Sequence, residues 1–168
     1  MDRIQPNHRQ AQIKKRLWNR ENRKGAALVE TAVVMPVFGI LMMGLVEFGH
    51  AYMTLNTVRA AAKQAARIGV ADGVLTSDVE ARANEILSKA IDTSQVTILV
   101  KSAAVFDTAE PDVSNIEYDT LPDIEVNDAE PRELFLVRIS VPYDQVALLP
   151  PFWAKNVTLT GQSVMRHE

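Results

Sequence analysis

One stretch limits what this chain can fold into more than any other. Residues 26–46, AALVETAVVMPVFGILMMGLV, form an apolar run of 21 residues whose single charge is Glu30. As an α-helix the run would be about 31 Å long, close to the ~30 Å hydrocarbon core of a bilayer. Two readings compete: a membrane helix kept in the mature protein, or the apolar core of a cleaved secretory signal. The second fits less well, because the region ahead of the run is unusually long and no small-residue site with a turn closes it. The uncharged part, residues 31–46, falls slightly short of a span by itself. Glu30 is therefore expected near one interface.

The charges that flank the run give its orientation. Residues 1–25 hold eight of the eighteen Lys/Arg against two acids, a net +6, while the other 143 residues have ten Lys/Arg against nineteen acids, a net −9. After Val46 the next basic residue is Arg59. By the positive-inside tendency the N-terminus stays in the cytoplasm and the chain from Glu47 onward lies outside. The leader, with Ile13, Leu17 and Trp18 among its basic residues, either lies along the anionic inner leaflet or is a disordered tail. A nucleic-acid-binding globule is excluded as a reading, since the positive charge is confined to one short arm. With no cysteine, disulfides, thiolate nucleophiles and cysteine-type metal sites are ruled out.

An ionised carboxylate well inside an apolar helix costs about 2.5–3.5 kcal/mol on insertion scales, less near the surface. Either Glu30 reaches into the headgroups beside Lys24, or it meets a positive partner buried with it. Spacing leaves both open.

Arg23-Lys24-Gly25 followed by Ala26-Ala27-Leu28-Val29-Glu30 resembles the prepilin-peptidase signal of type IV pilins and pseudopilins. The wider stretch resembles the TadE-like family of tight-adherence (Flp-type) pilus assembly. It shares the Gly-Ala-x-x-Glu start, a proline inside the helix (Pro36), a Val-Glu-Phe-Gly element at 46–49 and an Ala-Ala-Arg element at 65–67. The resemblance is strongest over 23–70, weaker over 134–168 and absent over about 71–133. It implies cleavage between Gly25 and Ala26, N-methylation of the new Ala26 amine, and pairing of Glu30 with that amine on a neighbouring subunit. Two charges that are each costly in lipid would offset one another only in the correct stagger, which would set register.

Beyond the apolar run the pattern turns amphipathic. Phe48, Tyr52, Leu55, Val58, Ala62 and Ala65 recur at three and four, opposite Asn56, Arg59, Lys63 and Arg67. The helix is thus expected to continue to about Ile68, stopped by Gly69 and Asp72-Gly73. A second helix is expected over 76–92, capped by Ser77-x-x-Glu80, with Val79, Ala83, Ile86, Leu87 and Ala90 on one face. Strands are expected over 96–105, 134–141 and 157–164, the last broken near Gly161. The fold class is α+β: a long transmembrane helix continuing into a small extracytoplasmic domain, with a second helix and a short antiparallel sheet packed on the first. The domains are a leader at 1–25, a transmembrane helix at 26–46 and an exported domain at 47–168. Residues 143–151 with Phe152 and Trp153 form an apolar loop, read either as a partner-binding tip or as tucked under the sheet.

The exported domain contains an acidic insert, 107–131, with nine acids and no Lys or Arg. Asp119, Asp123, Glu125 and Asp128 crowd together enough to suggest Ca²⁺, but EF-hand spacing and its turn glycine are missing. A solvated, mobile loop is expected, with no metal and no cofactor. No catalytic motif occurs, and His50 is read as a surface partner of Glu47 three residues earlier.

The expected function is a non-catalytic minor pilin or pseudopilin, held in the bacterial inner membrane as a single-pass protein and taking part in Flp/Tad pilus assembly or adhesion. Its partners would be the membrane, a prepilin peptidase, other pilin or pseudopilin subunits (as a homo- or hetero-oligomer) and the Tad assembly platform. The rival is a single-pass anchored ligand- or cation-binding protein that does not polymerise. A periplasmic enzyme with an ordinary anchor comes third.

Overall fold

The computed structural model of the chain describes residues 8–107, 116–150 and 156–168, with side chains from residue 25 on. The first helix, α1, runs from His8 to Ile68 with Pro36 inside it. Two compact units divide the chain at Val46–Glu47.

In the first unit the helix buries almost nothing. Leu28, Val29, Val37 and Ile40 are each two-thirds exposed or more, and the other large side chains of the run are more than 40% exposed. This is the single segment, among the described residues, long and apolar enough to cross a membrane, and none of its most apolar window is buried against protein. Such a surface is stable only where water is excluded from it.

The second unit is built on the three strands β1 (Thr97–Ser102), β2 (Leu134–Pro142) and β3 (Thr158–Arg166), antiparallel in the order β1-β2-β3. In the central strand Phe135, Val137, Ile139 and Val141 share one face and are fully or almost fully buried, while the positions between them run from Leu136, itself buried, to the more polar Arg138 and Ser140. They share one core with Val58, Ala61, Ala62, Ala65 and Ala66 of α1 and with Val79, Ala83 and Leu87 of α2 (Thr76–Leu87). The α1 residues are mostly alanine for a steric reason: small side chains let the helix backbone come close to the sheet.

Gly161 marks the closest approach. A Cβ built there would lie 2.7 Å from the Arg59 nitrogen and 2.8 Å from Arg59 Cα and Val58 C. The glycine therefore does not break β3, contrary to expectation. It pairs with Ile139 in the middle of an unbroken strand and makes room for the helix. Gly69 does the same on a smaller scale, with Val79 and Phe135 carbons 3.0–3.2 Å from the position of its missing Cβ.

Three further expectations are corrected. Phe48 and Tyr52 do not join the core: they are 61% and 64% exposed, while Glu47, Thr54, Val58, Ala61 and Ala65 face inward. The buried stripe is offset because alanines, not aromatics, fit against the sheet. Helix α2 ends at Leu87, and Ala90 lies in the exposed turn after it. Its cap is not Ser77-x-x-Glu80. Leu75 stands at the N-cap, and its N–H donates to Asp78 Oδ2 at 3.2 Å.

The described part of the acidic insert, from residue 116 on, is docked rather than loose. Short 3-10 turns form at Tyr118–Thr120 and Val126–Asp128, and Val126 is fully buried. Ser102 N–H donates to Pro122 O at 2.9 Å, and Lys101 Nζ lies 2.6 Å from Asp123 Oδ1. Thr76 ties the insert to the start of α2: its N–H donates to Glu125 Oε1, its hydroxyl donates to Ile124 O, and the hydroxyl oxygen accepts from Val126 N–H, all at 2.8–3.0 Å. An acid of the insert thus satisfies a helix N–H that would otherwise be unpaired, and its pKa is lowered chiefly by that backbone hydrogen bond.

Candidate functional site

Gly25, Ala26 and Glu30 all lie on the exposed helix of the first unit. Apart from its own helix backbone and chain neighbours, nothing among the described residues stands within 4 Å of a Cβ built on Gly25. The Glu30 carboxylate has no bonded partner among the described residues. Thr31, beside it, turns its hydroxyl back to Ala27 O at 2.9 Å, hiding its one polar group within the helix. The resulting surface is apolar on all sides and interrupted by one carboxylate.

The Val-Glu-Phe-Gly element leads into a second feature, at the start of the other unit. Glu47 is only 3% exposed, and its Oε1 accepts from the Tyr143 hydroxyl at 2.5 Å. Its Oε2 has no hydrogen-bond partner among the described residues. Tyr143 opens the single turn α3 (Tyr143–Val146), and its N–H donates to Val157 O at 2.8 Å. Burial, reinforced by the neighbouring Glu47 carboxylate, pushes the phenol up to about 12. One turn along α1, His50 Nε2 donates to Val146 O at 2.8 Å. Because a carbonyl only accepts, Nε2 carries the proton. Glu47 and His50 therefore do not pair with each other; both reach across to the segment after β2. Sequence spacing placed them correctly on one helix face and missed their partners, 96 residues away. The loop's expected double role resolves in part: Tyr143 and Val146 are tucked in, while Leu148 and Leu149 are exposed. Phe152 and Trp153 lie outside the described residues.

The acids proposed for Ca²⁺ are spread over separate tasks. Asp123 faces Lys101 and Glu125 caps α2. Among the described residues no group of three or more His, Asp or Glu side chains is arranged to hold a metal. At the C-terminus, His167 is buried with neither ring nitrogen hydrogen-bonded among the described residues, its Nδ1 3.9 Å from Asp72 Oδ1. Its backbone continues the sheet edge, with His167 N–H donating to Glu133 O and Glu168 N–H to Val70 O. No pattern in the sequence marked this histidine as buried.

A family model described as TadE-like protein matches residues 25–67. The match begins at Gly25, spans Glu30, Pro36 and the 46–49 element, and ends at Arg67. This stretch is TadE-like, as the sequence resemblance leads one to expect. No curated protein and no solved structure matches the chain.

Proposed function

We propose that this chain is a minor pilin or pseudopilin of a Tad (Flp-type) pilus system, cut between Gly25 and Ala26 by a prepilin peptidase and anchored by the helix that follows. The observation that carries the reading is the coincidence of two boundaries. The family match begins at Gly25, and in the sequence the apolar run begins at the next residue, Ala26, its large side chains left exposed along the helix. Cleavage there leaves the helix on the mature protein with a cationic Ala26 amine at its end.

Glycine weakens a helix by about 1 kcal/mol relative to alanine, so Gly25 is the weak point at which the bond opens to a peptidase. Once freed, the Ala26 amine of one subunit and Glu30 of the next neutralise each other in the apolar layer, while the remaining side chains pack against neighbouring helices or lipid. Phe48 and Tyr52, exposed just past the apolar run, fit the membrane–water interface, where aromatic rings are favoured. The Glu47–Tyr143 and His50–Val146 bonds hold the exported domain to its own stretch of α1.

Co-expression with a prepilin peptidase tests this by intact mass. The expected product lacks residues 1–25 and begins at Ala26, and Gly25→Leu blocks its formation. A chain that stays full length, and serves pilus assembly equally well as Glu30→Ala, would place the protein among non-polymerising membrane anchors instead.

A further inference from the structure

The domain from residue 47 on carries eighteen Asp/Glu against ten Lys/Arg, so a cleft that gathers several cations stands out on it. Four of its described cations are committed: Arg82 and Lys89 to Glu85, Lys101 to Asp123, and Arg166 to Asp107. Arg59, Lys63 and Arg138, by contrast, converge on one cleft of about 480 Å³ between α1 and β3, walled also by Tyr118 and by Thr160 and Gln162. Arg59 and Lys63 are exposed, stand one helical turn apart and have no ion-pair partner among the described residues. The Arg138 guanidinium is aimed rather than free to swing. Its Nη1 donates to Gln162 Oε1 at 2.7 Å, and its central carbon lies 4.0 Å from the centre of the Tyr118 ring.

Tyr118 is flanked by Glu117 and Asp119, both exposed and both without an ion-pair partner among the described residues. Two exposed carboxylates thus adjoin in sequence the Tyr118 ring that walls the three-cation cleft, and no ion pair among the described residues joins them to those cations. A patch that carries both signs in this way is complementary to itself under a two-fold rotation. We propose that this surface is a contact between two copies of the chain, in which Glu117 and Asp119 of each copy enter the Arg59–Lys63–Arg138 cleft of the other. The cations come from two elements, Arg59 and Lys63 a helical turn apart on α1 and Arg138 on β2, so the cleft can meet more than one carboxylate at once. The contact does not depend on cleavage after Gly25 or on Glu30. A chain that is processed normally but fails the test below would remove this contact and leave the membrane reading standing.

The test uses the full chain in detergent micelles, as a one-to-one mixture of ¹⁵N-labelled and unlabelled copies. A water-soluble carbodiimide joins an amine to a carboxylate as an amide, taking up the elements of water to become a urea. The expected result is linked peptides of mixed isotopic parentage that join Lys63 to Glu117 or Asp119. Independently, Arg59→Glu with Lys63→Glu should weaken self-association in sedimentation equilibrium at least about five-fold at low salt, and adding Glu117→Lys with Asp119→Lys should restore it. Lys63 links of single isotopic parentage only, inter-copy links to other carboxylates only, or an association unchanged by the charge reversal would each overturn the proposal.

Discussion

Replacing Gly161 by alanine is the sharpest probe of how the sheet of the second unit is held to α1. The added methyl would sit 2.7–2.8 Å from three backbone atoms of Val58 and Arg59. Carbon atoms are comfortable at about 3.5–4.0 Å, so helix and strand must separate by roughly 1 Å. The obstacle is backbone in the middle of a long helix, which no rotamer change can relieve. Separation also loosens the alanine face at Ala61, Ala62 and Ala65, all fully buried against the sheet. Overpacking of this kind costs about 1–3 kcal/mol, and a contact with fixed backbone belongs at the upper end. We expect a loss of about 3 kcal/mol, or roughly 10 °C in the thermal midpoint of the unit from residue 47 on. The assay is urea and thermal unfolding of the full chain in mild detergent, followed by circular dichroism. Gly39→Ala serves as control, because nothing lies within 4 Å of a Cβ at that position. A Gly161→Ala midpoint within 2 °C (roughly 0.5 kcal/mol) of the parent would refute the close approach on which the packing argument rests.

Three further outcomes follow from hydrogen bonds and burial. Because the fold holds the Tyr143 proton up to about 12, above the ordinary phenol value near 10, the folded chain binds more protons than the unfolded one between those limits. Stability is then intact below pH 10 and falls as pH rises toward 12, by roughly 2 kcal/mol at the end of that window; Tyr143→Phe should flatten this slope in alkaline unfolding curves. At neutral pH the same variant leaves both oxygens of the buried Glu47 without a protein partner and should cost about 1–3 kcal/mol, measured by urea midpoint. Thr76→Val removes the hydroxyl that bonds Ile124 O and Val126 N–H, and hydrogen exchange should show the Val126 amide losing protection while the β2–β3 amides keep theirs.

The long apolar helix was legible in the sequence because the length and composition that a bilayer would require can be counted along the chain. Residues 26–46 meet both requirements without reference to any other part of the protein. The continuation to Ile68, the second helix and the three strands were legible for a related reason. Period and turn residues are local, and the α+β class followed from them. The junction at 25–30 was readable as a motif, and the TadE-like match at 25–67 covers it.

Tertiary structure decided what each local feature is for. Gly161 reads as a strand breaker in isolation, and only the helix backbone that would lie 2.7 Å from a Cβ there makes it a packing site. Phe48 and Tyr52 look like core by hydrophobicity, yet the space against the sheet admits alanines. Glu47 and His50 look like partners at three residues' spacing, yet each bonds to the segment after β2. The insert is acidic enough to be read as a loose loop, yet Glu125 meets the unpaired N–H of Thr76, 49 residues away. In each case the deciding atom belongs to a residue distant in sequence. Local propensity constrains the backbone through its immediate neighbours, whereas steric room and hydrogen-bond satisfaction are properties of the closed fold.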